Sequence, residues 1–258
     1  MDAHHRPIAK EARLKVLDLI YQAQTSHIGS NFSCIDILTV LFEKINLDRE
    51  KFVLSKGWVA ASLYYFLWLK GRITEEELNS FCKEGSKFIG LAEPITPDIT
   101  IAGGSMGLGL PGAVGLALAK KIKKEEGKVY VLMSDGEMQI GTTWESALIA
   151  SHHGLDNLVV IVDNNGLQAM GKTDDILTLD SLKNKWRSFN WCSTSVSGHS
   201  FEQLTHALDK PDTHSEPYII IANTVKGKGV SFMENNNLYH YKGLSEEEYM
   251  DAKQELYG

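Results

Sequence analysis

The chain has 258 residues, 43% of them hydrophobic, enough to bury the core of one large α/β domain. Its 33 acidic and 26 basic side chains give a formal net charge of −7, and its one lysine run, Lys120-Lys-Ile-Lys-Lys124, closes a predicted helix as a solvated cap, so nothing points to nucleic acid. The longest apolar run, residues 59–69, is too short to span a bilayer, and the start carries no apolar signal core. Cys34, Cys82 and Cys192 lack paired spacing, which predicts reduced, half-buried thiols in a cytoplasmic protein without membrane association.

Residues 8–24 carry Ala12, Val16, Leu19, Ile20 and Ala23 at helical spacing, and Thr25-Ser-His-Ile-Gly-Ser30 breaks the pattern. A second helix is expected over 33–44, with Ile35, Ile37, Leu38, Leu41 and Phe42 on its buried side. Lys51-Phe-Val-Leu-Ser55 reads as a short strand, Lys56-Gly-Trp58 as the turn into an apolar helix, and Thr74-Glu-Glu-Glu77 as a capping box. Residues 85–104, with Pro94 and Pro97, form a long irregular stretch, and loops of that length inside compact domains are usually functional. It leads to Gly103-Gly-Ser-Met-Gly-Leu-Gly-Leu-Pro-Gly112 and a small-residue helix over 113–124. Those glycines either offer N–H groups to a phosphate or allow tight helix packing.

Two β-branched runs follow, Lys128-Val-Tyr-Val-Leu-Met133 and Asn157-Leu-Val-Val-Ile-Val162, both with the character of buried parallel strands. Residues 179–189 read as a helix, 191–197 as a strand and 201–209 as another helix. Tyr218-Ile-Ile-Ile-Ala222 is a buried strand ending in Asn223-Thr-Val-Lys-Gly-Lys-Gly229, and 245–257 is an acidic helix. The alternation predicts an α/β fold, a mostly parallel sheet with helices on both faces, in a single domain over 1–258.

The two central runs end in Ser134-Asp-Gly-Glu137 and Asp163-Asn-Asn-Gly-Leu167. Parallel strands deliver ligand-binding groups at their carboxyl ends, so Asp135 and Asn165 should stand side by side. A carboxylate, a carboxamide oxygen and a backbone carbonyl after Gly166 make a hard oxygen set suited to Mg²⁺ or Ca²⁺, with positions left for phosphate oxygens. Either motif alone is also an ordinary turn. Together, each directly after a strand, they favour a metal–diphosphate site.

The segment from Ser134 to Gln168 resembles the thiamine diphosphate motif of transketolases, which begins Gly-Asp-Gly and closes on an Asn; Ser134 replaces the first Gly. Four more stretches are similar to that family in the same order: Thr25-Ser-His-Ile-Gly29, Phe52-Val-Leu-Ser-Lys-Gly57, Gly104-Ser-Met-Gly-Leu-Gly109 and Thr224-Val-Lys-Gly-Lys-Gly-Val230. The resemblance implies the thiamine diphosphate-binding fold, with the metal held by Asp135, Asn165 and the Leu167 carbonyl, and the cofactor by these with Gly104, Met106 and Gly136. It implies a substrate-facing acid or hydrogen-bond donor at His27, against which stands a purely structural turn histidine. His240 aligns with a second substrate histidine or lies on the surface, and Glu145 with an acidic residue at the dimer contact or is a first-turn helix carboxylate. Ile140 stands where the family is often acidic, which shortens any carboxylate relay between sites.

The resemblance further implies a separate partner chain supplying the pyrimidine-binding domain, and a two-fold symmetric heterotetramer. The expected activity is two-carbon ketol transfer from a ketose or ketose phosphate to an aldose. The alternatives are a pyruvate-decarboxylating synthase of the deoxyxylulose phosphate type and a non-catalytic cofactor-binding subunit. Trp58 replaces one family histidine and Leu91-Ala92 a His-Pro pair, which turns the pocket from hydrogen-bonding toward apolar. With Ile28 where the family has proline and the deoxyxylulose phosphate synthases an apolar residue, the resemblance implies an unusual donor or acceptor.

Overall fold

The computed structural model describes residues 2–210 and 215–258. Helix α1 (Asp2–Ala23) and helix α2 (Ile28–Lys44) precede strand β1 (Lys51–Leu54), a 3₁₀ turn (Gly57–Val59), α3 (Ala60–Leu69) and α4 (Glu75–Asn79). Then come α5 (Gly109–Lys123), β2 (Val129–Ser134), a 3₁₀ turn (Asp135–Gln139), α6 (Gly141–His152) and β3 (Leu158–Asn164). The chain continues through β4 (Leu167–Gln168), β5 (Gly171–Lys172), α7 (Thr173–Ile176), α8 (Leu182–Ser188), β6 (Cys192–Ser197), α9 (Phe201–Asp209) and β7 (Tyr218–Asn223). A 3₁₀ turn (Asn237–His240) and α10 (Glu246–Tyr257) complete it.

Strands β1, β2, β3, β7 and β6 lie in that order in one sheet, every neighbouring pair parallel. Alternate side chains feed two cores, which is why the strands read as continuous apolar runs. Tyr130, Leu132, Val159, Ile161, Tyr218 and Ile220 pack with α1, α2, α3 and α9. Val129, Val131, Met133, Val160, Val162 and Ile219 pack with α5, α6 and α8 on the opposite face. A bidentate ion pair from Arg13 to Asp36, 2.8 and 2.9 Å, ties α1 to α2 inside the first core.

Helix α2 begins five residues before the predicted start, directly after His27, whose φ of 73° turns the chain into it. Its residues from Ile28 to Phe42 are all buried, so Ser30, Asn31, Ser33 and Asp36 interrupt the apolar pattern without marking a loop. Helix α5 likewise starts inside the glycine run, at Gly109, where a Cβ would meet the Ser55 side chain at 2.4 Å. Close packing therefore explains this glycine. Two smaller expectations are corrected. Lys120 is buried and donates to the Arg49 carbonyl at 2.9 Å instead of lying in solvent, and Cys34 is fully buried, not half-buried.

The irregular stretch 85–104 carries no helix or strand, as expected, and is strapped to the end of β1. Ala92 N–H donates to the Gly57 carbonyl at 3.0 Å, Gly103 N–H to Ala92 at 2.9 Å, and Gly57 N–H to Gly103 at 2.8 Å. These backbones approach so closely that a Cβ on Gly57 would sit 2.1 Å from the Gly103 oxygen, and one on Gly103 would sit 2.0 Å from the Leu54 oxygen. Gly57→Ala is expected to destabilise the chain by about 3 kcal/mol. Gly115→Ala, on α5 with nothing within 4 Å of the new Cβ, is expected to stabilise it by about 0.5–1 kcal/mol. Urea denaturation of both variants checks the contrast, and a neutral Gly57→Ala would contradict the strap.

Candidate active site

The loops after β1, β2, β3 and β7 all leave the same edge of the sheet, the carboxyl edge at which parallel α/β sheets bind ligands. A cavity of about 200 Å³ opens there. Of the nine residues singled out in the sequence, eight line it: His27, Gly104, Met106, Asp135, Gly136, Asn165, Leu167 and His240. Glu145 does not; it lies exposed on α6, turned outward.

Strands β2 and β3 pair with Ser134 opposite Asp163, so their terminal turns meet at one level. The Gly166 N–H donates to the Asp135 carboxylate at 2.7 Å, joining the two turns directly. Asp135 also accepts from Thr173 at 3.1 Å and from its neighbour Gly136 at 2.9 Å. All three donors are neutral. Burial, and secondarily the charge of Asp163, push the Asp135 carboxyl up to about 6. Asn165 keeps its amide nitrogen toward Ser33 and Asp163, at 3.4 and 3.5 Å, which leaves its oxygen on the other side, where Leu167 N–H reaches it at 3.1 Å.

This donor set fits a divalent ion. Among the described residues no three His, Cys, Asp or Glu side chains cluster as a metal site. A metal here would instead take one buried carboxylate whose partners are uncharged, one amide oxygen and one backbone carbonyl, the hard ligands preferred by Mg²⁺ and Ca²⁺. Ser134 sits at φ −95° and ψ 160°, ordinary extended backbone, so replacing the family's first glycine strains nothing.

Four charged residues at the site escaped the sequence reading. Lys56 and Asp163 form a fully buried ion pair, and Lys56 also donates to the Ser30 carbonyl at 3.3 Å. Asp163 further accepts from Ser33 and Thr224, so one carboxylate gathers α2 and the ends of β1 and β7. Burial, the largest single influence, lowers the Lys56 ammonium, but the charge and hydrogen bond of Asp163 together with Cys34 and Asp135 outweigh it and the net shift is upward. Glu137, pushed up by burial, accepts from Ser55, from Ser134 N–H at 2.8 Å and from Gly107 N–H at 3.3 Å, fixing the glycine run against β1 and β2. Lys226, fully buried, donates to Asn237 at 3.0 Å and meets His240 Nδ1 at 2.9 Å. The available signal was position: each charge sits at or just after the end of an apolar run.

His27 and His240 stand edge to face with ring centres 5.0 Å apart, and His27 N–H donates to the His240 carbonyl at 3.0 Å. Burial, followed by the Lys226 charge, lowers His27 to about 4 and His240 to about 3. Both are therefore neutral near pH 7, able to donate one hydrogen bond but not to serve as a pre-charged acid. Trp58 forms part of the cavity wall. Of the other departures, Ala92 is buried in the backbone strap, Leu91 lies beside Gly104, and Ile28 is wholly in the core, so its side chain packs the fold instead of shaping the pocket.

The family described as "Transketolase, thiamine diphosphate binding domain" matches residues 4–258. The chain is 34% identical over 258 residues to an apulose-4-phosphate transketolase subunit of Phocaeicola vulgatus, covering 96% of this chain and 92% of that protein. It is 33% identical to 6-deoxy-6-sulfo-D-fructose transketolase subunit SqwG of a Clostridium species, covering 99% and 96%. Transketolase of Homo sapiens is 32% identical, but the chain spans only 44% of its length. Among solved structures, transketolase from Campylobacter jejuni superposes with a TM-score of 0.92 at 30% identity, covering 98% of this chain and 42% of that one. The match of the whole chain to that profile and to these subunits, together with the two joined turns at the sheet edge, establishes that this protein belongs to the transketolase family through its thiamine diphosphate-binding domain.

Proposed function

We propose that the chain is the diphosphate-binding subunit of a split transketolase, a transferase that moves a two-carbon ketol unit from a ketose or ketose phosphate to an aldose. The observation that carries this is the cavity in which Asp135, Asn165 and Leu167 converge with His27 and His240. The relatives named as transketolase subunits are matched over nearly their full length, which supports activity shared with a second chain. That partner would supply the pyrimidine-binding domain, in a two-fold symmetric heterotetramer. Neither a pyruvate-decarboxylating synthase nor a non-catalytic role has an observation of its own in support.

When bound, thiamine diphosphate supplies the thiazolium carbon at which the ketose carbon–carbon bond is exchanged. The Asp135 carboxylate, the Asn165 amide oxygen and the Leu167 carbonyl would hold Mg²⁺, or Ca²⁺ in its place, as the counter-charge for the diphosphate. Gly136, Gly104 and Met106 line the cofactor's channel. His27 and His240, kept neutral, donate hydrogen bonds to substrate hydroxyl groups, and the neighbouring Lys56 and Lys226 favour the anionic ligand. Trp58 adds an indole to the cavity wall, where the family resemblance implies a histidine, and makes that part of the pocket more apolar. Glu145, on the outward face of α6 with exposed Leu148 and Ile149, meets the neighbouring protomer. Cys34, Cys82 and Cys192 lie in different parts of the chain with no disulfide among the described residues, which suits a reducing, cytoplasmic setting, and no helix among the described residues is long and apolar enough to cross a membrane.

Asp135→Ala is expected to abolish Mg²⁺-dependent thiamine diphosphate binding in titration calorimetry while far-ultraviolet circular dichroism stays native. Unchanged affinity would overturn the site. The histidines give a pH dependence. Their folded values lie below the ordinary 6.5, so the unfolded chain binds protons preferentially, and stability present above 6.5 is lost as pH falls toward 4. Between pH 7 and 5 each ring should contribute a loss on the order of 1 kcal/mol. Urea denaturation across that range, repeated on a His27→Gln/His240→Gln double variant, should show a flatter profile in the variant.

A further inference from the structure

Lys226 occupies a fixed place behind the two histidines. Its carbonyl accepts from Asn235 N–H at 2.8 Å, and the next residue, Gly227, donates to the Gly29 carbonyl at 2.9 Å. Gly29 opens α2 two residues after His27, and a Cβ there would lie 3.4 Å from the Lys226 side chain. The ammonium is thus delivered between the start of α2 and the 3₁₀ turn that carries His240. It contacts Asn237 Oδ1 at 3.0 Å, and the Asn237 amide nitrogen donates in turn to the Ala169 carbonyl at 3.0 Å, beyond the β3 turn. Its other contact is His240 Nδ1, at 2.9 Å.

We propose that Lys226 is a positioning residue: by donating to Nδ1 of His240 it fixes the imidazole as the Nε2–H tautomer, so that the ring's free nitrogen is a hydrogen-bond donor for ligand in the cavity. An ammonium has donors only, so the ring nitrogen it contacts must accept. A neutral imidazole accepting at Nδ1 carries its proton on Nε2. Protonating His240 would place two cations 2.9 Å apart in a buried site, which keeps the ring neutral. The groups facing it agree with this: Lys226 from the loop after β7, Lys56 from the loop after β1, and His27 at the start of α2, with the Tyr241 ring adjoining. Asp135 and Asp163 face Lys226 and oppose its loss of charge, while burial and Lys56 bring its ammonium down to about 8. The tautomer lock is therefore built to hold near neutrality and to slip as pH rises through that value.

The proposal rests on His240 facing the substrate, but its test does not require turnover. Nitrogen-15 imidazole NMR of the purified chain, without cofactor or partner, should show His240 neutral with the proton on Nε2 at pH 7, and the preference for that tautomer should fall as pH rises through about 8. In Lys226→Met, which keeps the apolar stem, both tautomers should be populated at pH 7 and His240 should titrate closer to 6.5. With the partner chain present, kcat/KM of Lys226→Met should drop about tenfold, the equivalent of one lost hydrogen bond. A wild-type ring protonated on Nδ1 at pH 7, or a variant with the wild-type tautomer and titration, would overturn the assignment. Absence of ketol transfer alongside the expected resonances would count against the proposed activity and leave the lock standing.

Discussion

Ser134 lies opposite Asp163 in the parallel pairing of β2 with β3, and that register sets the level at which both turns leave the sheet. Were either strand displaced by one residue, the Gly166 N–H would lose the Asp135 carboxylate and the side chains of the displaced strand would exchange cores. The two apolar cores thus do more than stabilise the fold. By burying alternate residues of β2 and β3 on both faces they forbid the slip, and the turns that carry Asp135 and Asn165 arrive side by side as a consequence.

The electrostatics follow from the same geometry. Four strand ends converge on a small volume, so charges far apart in sequence are forced into contact, as with Lys56 and Asp163, 107 positions apart. Leaving either member of that pair unpartnered would be strongly destabilising, of order 3–5 kcal/mol. Asp135 differs, since its described partners are neutral N–H and O–H donors. One carboxylate is neutralised by the protein, while its neighbour keeps only uncharged hydrogen-bond partners. Burial first, and then the charges of Lys226 and Lys56, suppress the basicity of His27 and His240, so both imidazoles stay neutral near pH 7.

Much of this was legible in the sequence, and the misses share a cause. β-branched runs gave β2, β3 and β7 to within a residue or two because strands buried on both faces have no polar interruption. The start of α2 was illegible for the converse reason: Gly29, Ser30 and Asn31 look like a turn, yet Asn31 bonds back to the His27 carbonyl and Ser62 donates to Asn31, so its polar groups are satisfied inside. The β4–β5 hairpin is only two residues a side and carries no periodic signal. Site residues within turn motifs were found because Asp, Asn and Gly at strand ends have a chemical reading of their own. Lys56, Glu137, Asp163 and Lys226 were missed because a charged residue is ordinarily solvated, and only long-range contacts reveal that these are not.

The strap between Gly57, Ala92 and Gly103 is made wholly of main-chain groups. It demands smallness at the glycines but asks nothing of the side chain at position 91, where Leu91 projects beside Gly104. Anchoring and chemistry are thereby uncoupled in this segment. The side chain at position 91 can therefore change in size and polarity beside Gly104 while the main-chain anchor beneath it stays as it is.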